Sequence, residues 1–354
     1  MEAARRGSRV HGGRGSTAGS TDVPSAVLAC GDLRRQVLNR LADGQPWSGA
    51  ALARELGVSR TAVWQHVRAL ADLGLGVESS RGRGYRLERV LDLLDTRTIE
   101  AALGREARRR LQPLSILIET DSTNQRLLER AATSDIHGAV CMAEFQHAGR
   151  GRRGRQWRAP LGAGLCMSLG WRFDDAAALA GLSLAAGVAV RAALAELGTT
   201  GVQLKWPNDL LWRGRKLGGI LIEMRGEFGG PCTTITGVGL NVCLPPAMLA
   251  ATDPPCIDVR EIMGRSIDRN RLAARVLAAL QSAYTRFATH GFRGVMDDWA
   301  RHDALNGRQV IVEAGGRHWT GVARGVGEDG SLIIVTDGGG EQRFHGGEVS
   351  VRGT

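Results

Sequence analysis

The sequence predicts an α+β chain of several domains: an N-terminal winged helix-turn-helix, a central α+β domain on a mixed sheet, and a small C-terminal β-barrel. Three observations lead there. Helical periodicity with capping residues runs up to residue 90, strands and helices alternate from 91 to 305, and residues 306–354 alternate apolar and polar positions between glycine turns. Residues 1–31 read as a disordered tail, because Arg5, Arg6, Arg9 and Arg14 occur there without the apolar run of a secretory signal.

From Asp32, Leu33, Val37, Leu38 and Leu41 recur at helical steps until Asp43-Gly44 ends the run. Ser48 caps a second short helix with Ala51, Leu52 and Leu56 inward, and Gly57-Val58 turns the chain into a third, capped by Ser59. Val63, Val67 and Leu70 are its inner face. Ser59, Arg60, Thr61, Trp64, Gln65 and Arg68 are left outside, where they can reach phosphates and base edges. Two short strands around Arg81-Gly82-Arg83-Gly84 make a basic hairpin, a wing. The plainer reading is a helical bundle that packs on another domain. Basic charge, cap spacing and the wing together favour DNA binding.

After a connector over 90–103, residues 114–119, 139–146 and 165–171 read as strands, with helices at 124–132 and 179–197. Strands then crowd together at 202–206, 210–212, 217–225 and 233–242, and helices return at 269–288 and 292–300. Turns at Gly315-Gly316, Asp329-Gly330 and Gly338-Gly339-Gly340 punctuate the final strands, the spacing of a small barrel.

Composition narrows the function. Residues 1–90 hold 14 arginines against 8 acidic residues, so this quarter of the chain supplies more than half of the net charge of +10. Cys30, Cys141, Cys166, Cys232, Cys243 and Cys256 show no Cys-x-x-Cys spacing, and the eight histidines form no paired ligand pattern. Both facts argue against a disulfide framework and a side-chain zinc site, and the expected compartment is the reducing cytoplasm. The longest apolar stretch, 179–190, is too short for a bilayer, so no membrane partner is expected. Of the 46 basic residues only Lys205 and Lys216 are lysine. A compact, rotatable ammonium at both places, where a planar guanidinium would not serve, is the reading set against chance.

Three motifs carry the chemistry. Gly149-Arg150-Gly151-Arg152-Arg153-Gly154-Arg155-Gln156-Trp157 sets four guanidiniums among three glycines, forked donors on a backbone that permits close approach. Arg-Gly stretches also touch nucleic acid, but this one lies between buried strands, which favours a small anionic ligand. Lys205-Trp206-Pro207-Asn208-Asp209 with Lys216-Leu217-Gly218-Gly219 would by itself be a turn between strands. The flanking lysines and the room left by Gly218 and Gly219 make it a site candidate, with Asp209 as a ligand for nucleotide-borne magnesium or as a cap. Asp121-Ser122-Thr123-Asn124 ends a strand and opens a helix, as an ordinary N-cap or as one that also reaches a polar ligand head.

These motifs, with Gln146 and Gly237-Val238-Gly239-Leu240-Asn241, stand in the order found in biotin protein ligases, a family that the chain resembles over roughly residues 32–352. With its winged helix it is similar to the bifunctional type, a ligase that is also the biotin operon repressor. The resemblance implies an SH3-like C-terminal domain and biotin, ATP and magnesium as ligands. It implies that Ser122, Thr123, Asn124 and Gln146 meet the biotin ring and its urea-like head, beside Gly218 and Gly219. Arg150, Gly151 and Arg152 would form the loop over biotin and the acyl phosphate, with Lys216 on the reacting carboxylate. Arg152, Arg155, Lys205, Asn208, Asp209 and Asn241 would face ATP or the adenylate. The implied partners are an apo biotin carboxyl carrier protein, operator DNA upstream of biotin genes, and a second copy in a ligand-promoted homodimer. Residues 244–260 depart from the family pattern, being Pro-rich without Trp, and 1–31 have no counterpart.

Elementary electrostatics agrees with that assignment. When a carboxylate attacks the α-phosphorus of ATP, two anions are pressed together, and Arg150, Arg152, Lys216 and Lys205 can neutralise the charge. Each preorganised donor of this kind is worth on the order of 100-fold in rate. The competing readings are a metabolite-sensing repressor without transfer activity and a lipoate or octanoate transferase on a related fold.

Overall fold

The computed structural model describes residues 25–80, 82–176, 179–226, 230–252, 254–346 and 349–353. Helix α1 (Ser25–Leu41) begins before the predicted start at Asp32, inside the segment expected as tail; the rest of that tail lies outside the described residues. It packs with α2 (Gly49–Leu56) and α3 (Arg60–Asp72) around Val37, Leu38, Leu41, Leu52, Val63 and Leu70. The two caps work as expected: Ser48 Oγ accepts from the Ala51 N–H and Ser59 Oγ from the Ala62 N–H, both at 3.1 Å. Strands β1 (Val77–Ser80) and β2 (Gly84–Leu87) form the wing, and Trp47 and Tyr85 exchange backbone hydrogen bonds at 2.8 Å that tie it to the segment before α2.

The connector is more structured than its sequence suggests. It carries α4 (Thr96–Ala102), capped by Asp95 through the Thr98 N–H, and α5 (Arg105–Arg110) follows. Both are too short to show a sustained apolar period.

The central domain holds β3 (Leu114–Thr120), α6 (Thr123–Arg130), β4 (Val140–Gln146), β5 (Gly164–Phe173), α7 (Leu182–Glu196), β6 (Val202–Lys205), β7 (Asp209–Trp212), β8 (Arg215–Gly226) and β9 (Cys232–Asn241). The strands form one sheet in the order β3-β4-β5-β9-β8-β7-β6, with β3 and β4 parallel and every other neighbour antiparallel, the mixed sheet that was predicted. Beyond it come α8 (Pro246–Ala251), α9 (Val259–Met263), α10 (Arg269–His290) and α11 (Met296–His302). Met167, Leu169 and Trp171 of β5 join the core made with α7 and α10. The intervening Ser168 instead meets Thr123 and Asn124 of α6, because alternate strand residues face opposite sides. That opposite face carries the site.

At the junction with the helix-turn-helix, Arg269 and Glu144 form an ion pair at 2.8 Å, each 1 % exposed. Arg269 also donates to the Asp92 and Gly164 carbonyls, while Glu144 Oε1 accepts from the Leu94 N–H at 2.6 Å. From α1, Arg35 reaches the Leu94 and Ile116 carbonyls. The connection between the modules is therefore pinned to β4 and α10.

The C-terminal strands β10 (Gln309–Ala314), β11 (Arg317–Val326), β12 (Leu332–Thr336), β13 (Glu341–Phe344) and β14 (Val349–Gly353) form a five-stranded antiparallel sheet in the order β13-β12-β11-β10-β14. The predicted barrel takes this form, and its outer strands share no ladder among the described residues. The β11–β12 turn docks on the central domain, where Trp206 Nε1 donates to the Gly330 carbonyl at 3.0 Å. Among the described residues no helix is long and apolar enough to cross a membrane.

Candidate active site

A cavity of about 300 Å³ opens on the α6 face of the sheet, at the lower end of the range for small-molecule sites. One end is a buried cluster of hydroxyls and amides. Ser122 occupies the N-cap position of α6, yet its side chain makes no cap hydrogen bond. Gln146 Oε1 accepts from the Thr123 N–H at 2.8 Å and lies 3.1 Å from Thr123 Oγ1. Ser168 Oγ stands 2.7 Å from Thr123 Oγ1 and 2.6 Å from Asn124 Oδ1. Two glycines of β9 make room for these side chains: a Cβ at Gly237 would lie 2.4 Å from Asn124 Oδ1, and one at Gly239 would lie 2.6 Å from the Trp157 ring.

The arginine loop closes on itself over the cavity. Trp157 N donates to Gly149 O at 2.8 Å and Gly151 N to Arg155 O at 2.7 Å, with a 3-10 turn at Arg152–Gly154 between them. Arg153 adopts φ 57°, a left-handed backbone that the turn imposes on a residue with a side chain. Three guanidiniums fix the loop to its surroundings. Arg150 Nη2 donates to Glu223 Oε2 at 3.0 Å, Arg152 Nη1 reaches Asn208 Oδ1 at 3.5 Å, and Arg153 pairs with Glu313 of β10. Burial lowers the Arg152 guanidinium from its ordinary range, Asp209 opposes the fall, and Arg155 and Arg153 add to it.

Lys216 Nζ donates to Asp209 Oδ1 at 2.6 Å. A register shift creates the arrangement: across β7 and β8 the partner of Leu210 is Gly218, whereas the partner of Leu211 is Lys216. Leu217 is the extra residue of the bulge and is fully buried, while Lys216 is aimed at the cavity. The Lys216 backbone bonds Pro255 O at 2.8 Å and Ile257 N at 2.9 Å, which brings 254–256 alongside.

Ser122, Thr123, Asn124, Gln146, Arg150, Gly151, Arg152, Arg155, Asn208, Asp209, Lys216, Gly219 and Asn241 all line this cavity, as a set read from the sequence. Lys205 and Gly218 do not. Lys205 ends β6 as the ladder partner of Asp209, and Gly218 turns toward β9, where a Cβ would meet Gly239 O at 2.5 Å. Asn241 spends its amide nitrogen on the Lys216 and Ile257 carbonyls, holding the wall together. Sequence reading missed Ser168 and Glu223, which no local motif marks. It took residues 244–260 only as a departure from the family pattern, and Leu244, Met248, Thr252, Pro254 and Cys256 of that segment form a wall of the cavity. Cys166 also lines the cavity, but burial pushes its thiol up to about 11, so it is a neutral neighbour and no nucleophile.

Among the described residues Asp209 is the one carboxylate of the lining, and no group of three or more His, Cys, Asp or Glu is placed to hold a metal ion. A divalent cation that arrives with phosphates would meet the Asp209 carboxylate, which fits that role by charge and place.

On the N-terminal module, Ser59, Arg60, Thr61, Trp64, Gln65 and Arg68 are all exposed along one side of α3, and Arg68 lies over the Trp64 ring at 5.5 Å. His66, predicted on neither face, is buried with Val63 and Val67. Arg83 is exposed at the wing tip; Arg81 lies outside the described residues.

Comparison with known proteins agrees with this architecture. The model of the Biotin/lipoate A/B protein ligase family matches residues 117–241, an HTH domain model residues 33–86, and the Biotin protein ligase C terminal domain model residues 306–352. The chain is 36% identical over 317 residues to the bifunctional ligase/repressor BirA of Salmonella typhimurium, covering 89% of this chain and 96% of that protein. Its identity to the Escherichia coli protein of the same name is also 36%, over 313 residues, 88% of this chain and 95% of that one. Among solved structures it is similar to the biotin protein ligase from Aquifex aeolicus in complex with biotin and ATP, at a TM-score of 0.60 and 28% identity, covering 69% of this chain and all of that one. An arginine loop, a hydroxyl-amide cluster and a lysine-aspartate pair around one cavity, on a chain with these relatives, make it a member of the biotin protein ligase family, of the bifunctional type with an N-terminal helix-turn-helix.

Proposed function

We propose that the chain joins biotin to an apo biotin carboxyl carrier protein at the expense of ATP, and that it represses biotin genes through its helix-turn-helix. One observation carries the reading: a buried hydroxyl-amide cluster and a set of fixed cations line the same cavity. A small acid with a urea-like head matches that polarity, its head toward Thr123, Asn124 and Gln146 and its carboxylate toward Arg152 and Lys216.

In the first step a biotin carboxylate oxygen bonds to the α-phosphorus of ATP while the bond to pyrophosphate breaks. Arg150, Arg152 and Lys216 neutralise the two anions as they meet, already oriented by Glu223, Asn208 and Asp209, so little reorganisation is needed during the reaction. Magnesium, entering on the nucleotide, would be held by Asp209 and would offset phosphate charge. In the second step the carrier's lysine amine attacks the carbonyl of the mixed anhydride and AMP departs. The arginine loop, which lines the cavity, would shield that anhydride from water.

Two helix-turn-helix modules on a ligand-promoted dimer would span a palindromic operator, with α3 in the major groove. A transferase for octanoate or lipoate has no use for a buried polar head cluster, since an apolar tail offers it no hydrogen bond.

The test is incubation of the protein with biotin, ATP, magnesium and an apo carrier domain, read by mass spectrometry. Gain of one biotin on the carrier is expected, and none would end the ligase reading. Lys216→Ala and Arg152→Ala are expected to stay folded and to lose about 100-fold or more in rate; wild-type turnover in either would refute the site.

A further inference from the structure

Glu223 of β8 belongs to none of the motifs above, yet it joins two of them. Its Oε2 accepts from Asn124 Nδ2 at 2.8 Å and from Arg150 Nη2 at 3.0 Å. A carboxylate has no proton to give, so Asn124 must present its nitrogen to Glu223 and its oxygen to Ser168. The second contact of that nitrogen, to the Leu221 carbonyl at 3.3 Å, demands the same orientation. Asn124 Oδ1 is an acceptor, so the single proton of Ser168 goes to it across 2.6 Å. Ser168 Oγ is then left as an acceptor for the Thr123 hydroxyl at 2.7 Å. With the Thr123 proton directed to Ser168 or to Gln146 Oε1, what Thr123 offers the cavity is a lone pair.

We propose that Glu223 is a positioning residue that sets the hydrogen-bond direction along Asn124, Ser168 and Thr123 and anchors Arg150, so that the cavity selects a ligand head that donates N–H. The inference rests on the biotin reading and deepens it: a urea N–H meets a fixed acceptor, whereas a hydrocarbon tail leaves that acceptor unpaired. Burial makes the direction matter. Ser168 is fully buried and does not line the cavity, so a reversed bond to it has no solvent partner to turn to.

The experiment measures the KM for biotin, the KM for ATP and the inhibition constant of octanoate, an acid without N–H groups, for wild type, Glu223→Ala, Glu223→Gln and Ser168→Ala. Glu223→Ala is expected to raise the biotin KM about 10- to 100-fold, the range for a hydrogen bond to a charged group, and to weaken octanoate and ATP less, through the freed Arg150 alone. Glu223→Gln keeps an acceptor oxygen for Asn124 and should recover most of the loss. Ser168→Ala interrupts the chain without touching Arg150, and should show the same biotin-selective weakening if Glu223→Ala fails to fold. A biotin KM unchanged in these variants, or equal weakening of biotin and octanoate, would overturn the inference. Wild-type protein that does not biotinylate the carrier would sink the functional reading instead, so the two failures are separable.

Discussion

Glu144→Ala removes the partner of a guanidinium that is 1 % exposed, and leaves it with two carbonyls, those of Asp92 and Gly164, as its hydrogen-bond acceptors. Breaking a buried pair from one side costs about 3–5 kcal/mol, because the surviving charge stays desolvated. The Leu94 N–H, bonded to Glu144 at 2.6 Å, loses its acceptor in the same change. At about 2–4 °C per kcal/mol for a domain of this size, the melting temperature should fall by about 6–20 °C. Scanning calorimetry on Glu144→Ala, Arg269→Met and the two combined gives a double-mutant cycle. The double variant removes both charges at once, so its cost should be well below the sum of the singles. Because the pair holds Asp92 to Leu94 against β4, the single variants should also speed amide exchange over residues 88–95. A loss under 1 kcal/mol in Glu144→Ala, or additivity in the double variant, would refute the reasoning.

Three other outcomes follow from named contacts. Arg68→Ala should weaken DNA binding about equally for all sequences and lower the salt slope by about 0.9, the signature of one phosphate contact; an unchanged slope would exclude that contact. Gly239→Ala would push a methyl into the Trp157 ring, and an overpacking cost of about 1–3 kcal/mol at the cavity wall should raise the biotin KM by about tenfold or more; wild-type kinetics would show that the indole moves freely. Asp303 is the pH-sensitive group. Burial raises its carboxyl above the ordinary 3.8, and the Leu305 N–H at 2.8 Å opposes this only in part. Stability from the neutral carboxyl is full below the unfolded value and is lost as pH rises through the folded one. Asp303→Asn cannot ionise, so it should gain on wild type between pH 4 and pH 7 in denaturant titrations; an equal difference at both would refute the assignment.

Much of this molecule was legible in the chain. Ser48 and Ser59 announce their helices because a cap is a bond across three residues, and the outer face of α3 follows from a period of 3.6. The mixed sheet was visible in apolar runs with turns between them. The short helices α4 and α5 were not, since seven and six residues give too few turns to establish a period. Thirteen residues read as ligand contacts line one cavity because the motifs that carry them lie where strands across the sheet begin or end on the same side, or open a helix there.

Lys205 and Lys216 show where reading from the sequence stops. The two looked equivalent, flanking one hairpin, and a single bulge residue, Leu217, decided that Lys216 faces the cavity. A bulge is a property of strand pairing, and no residue type at 217 declares it. Glu223 meets Asn124 across 99 positions and Arg150 across 73, and Ser168 meets Asn124 across 44. Local spacing sets which side chains share a face, so the chain by itself determined the modules, the caps and the cation-rich loop. Which distant groups share a buried volume depends on sheet order and register, and that the tertiary structure alone decided.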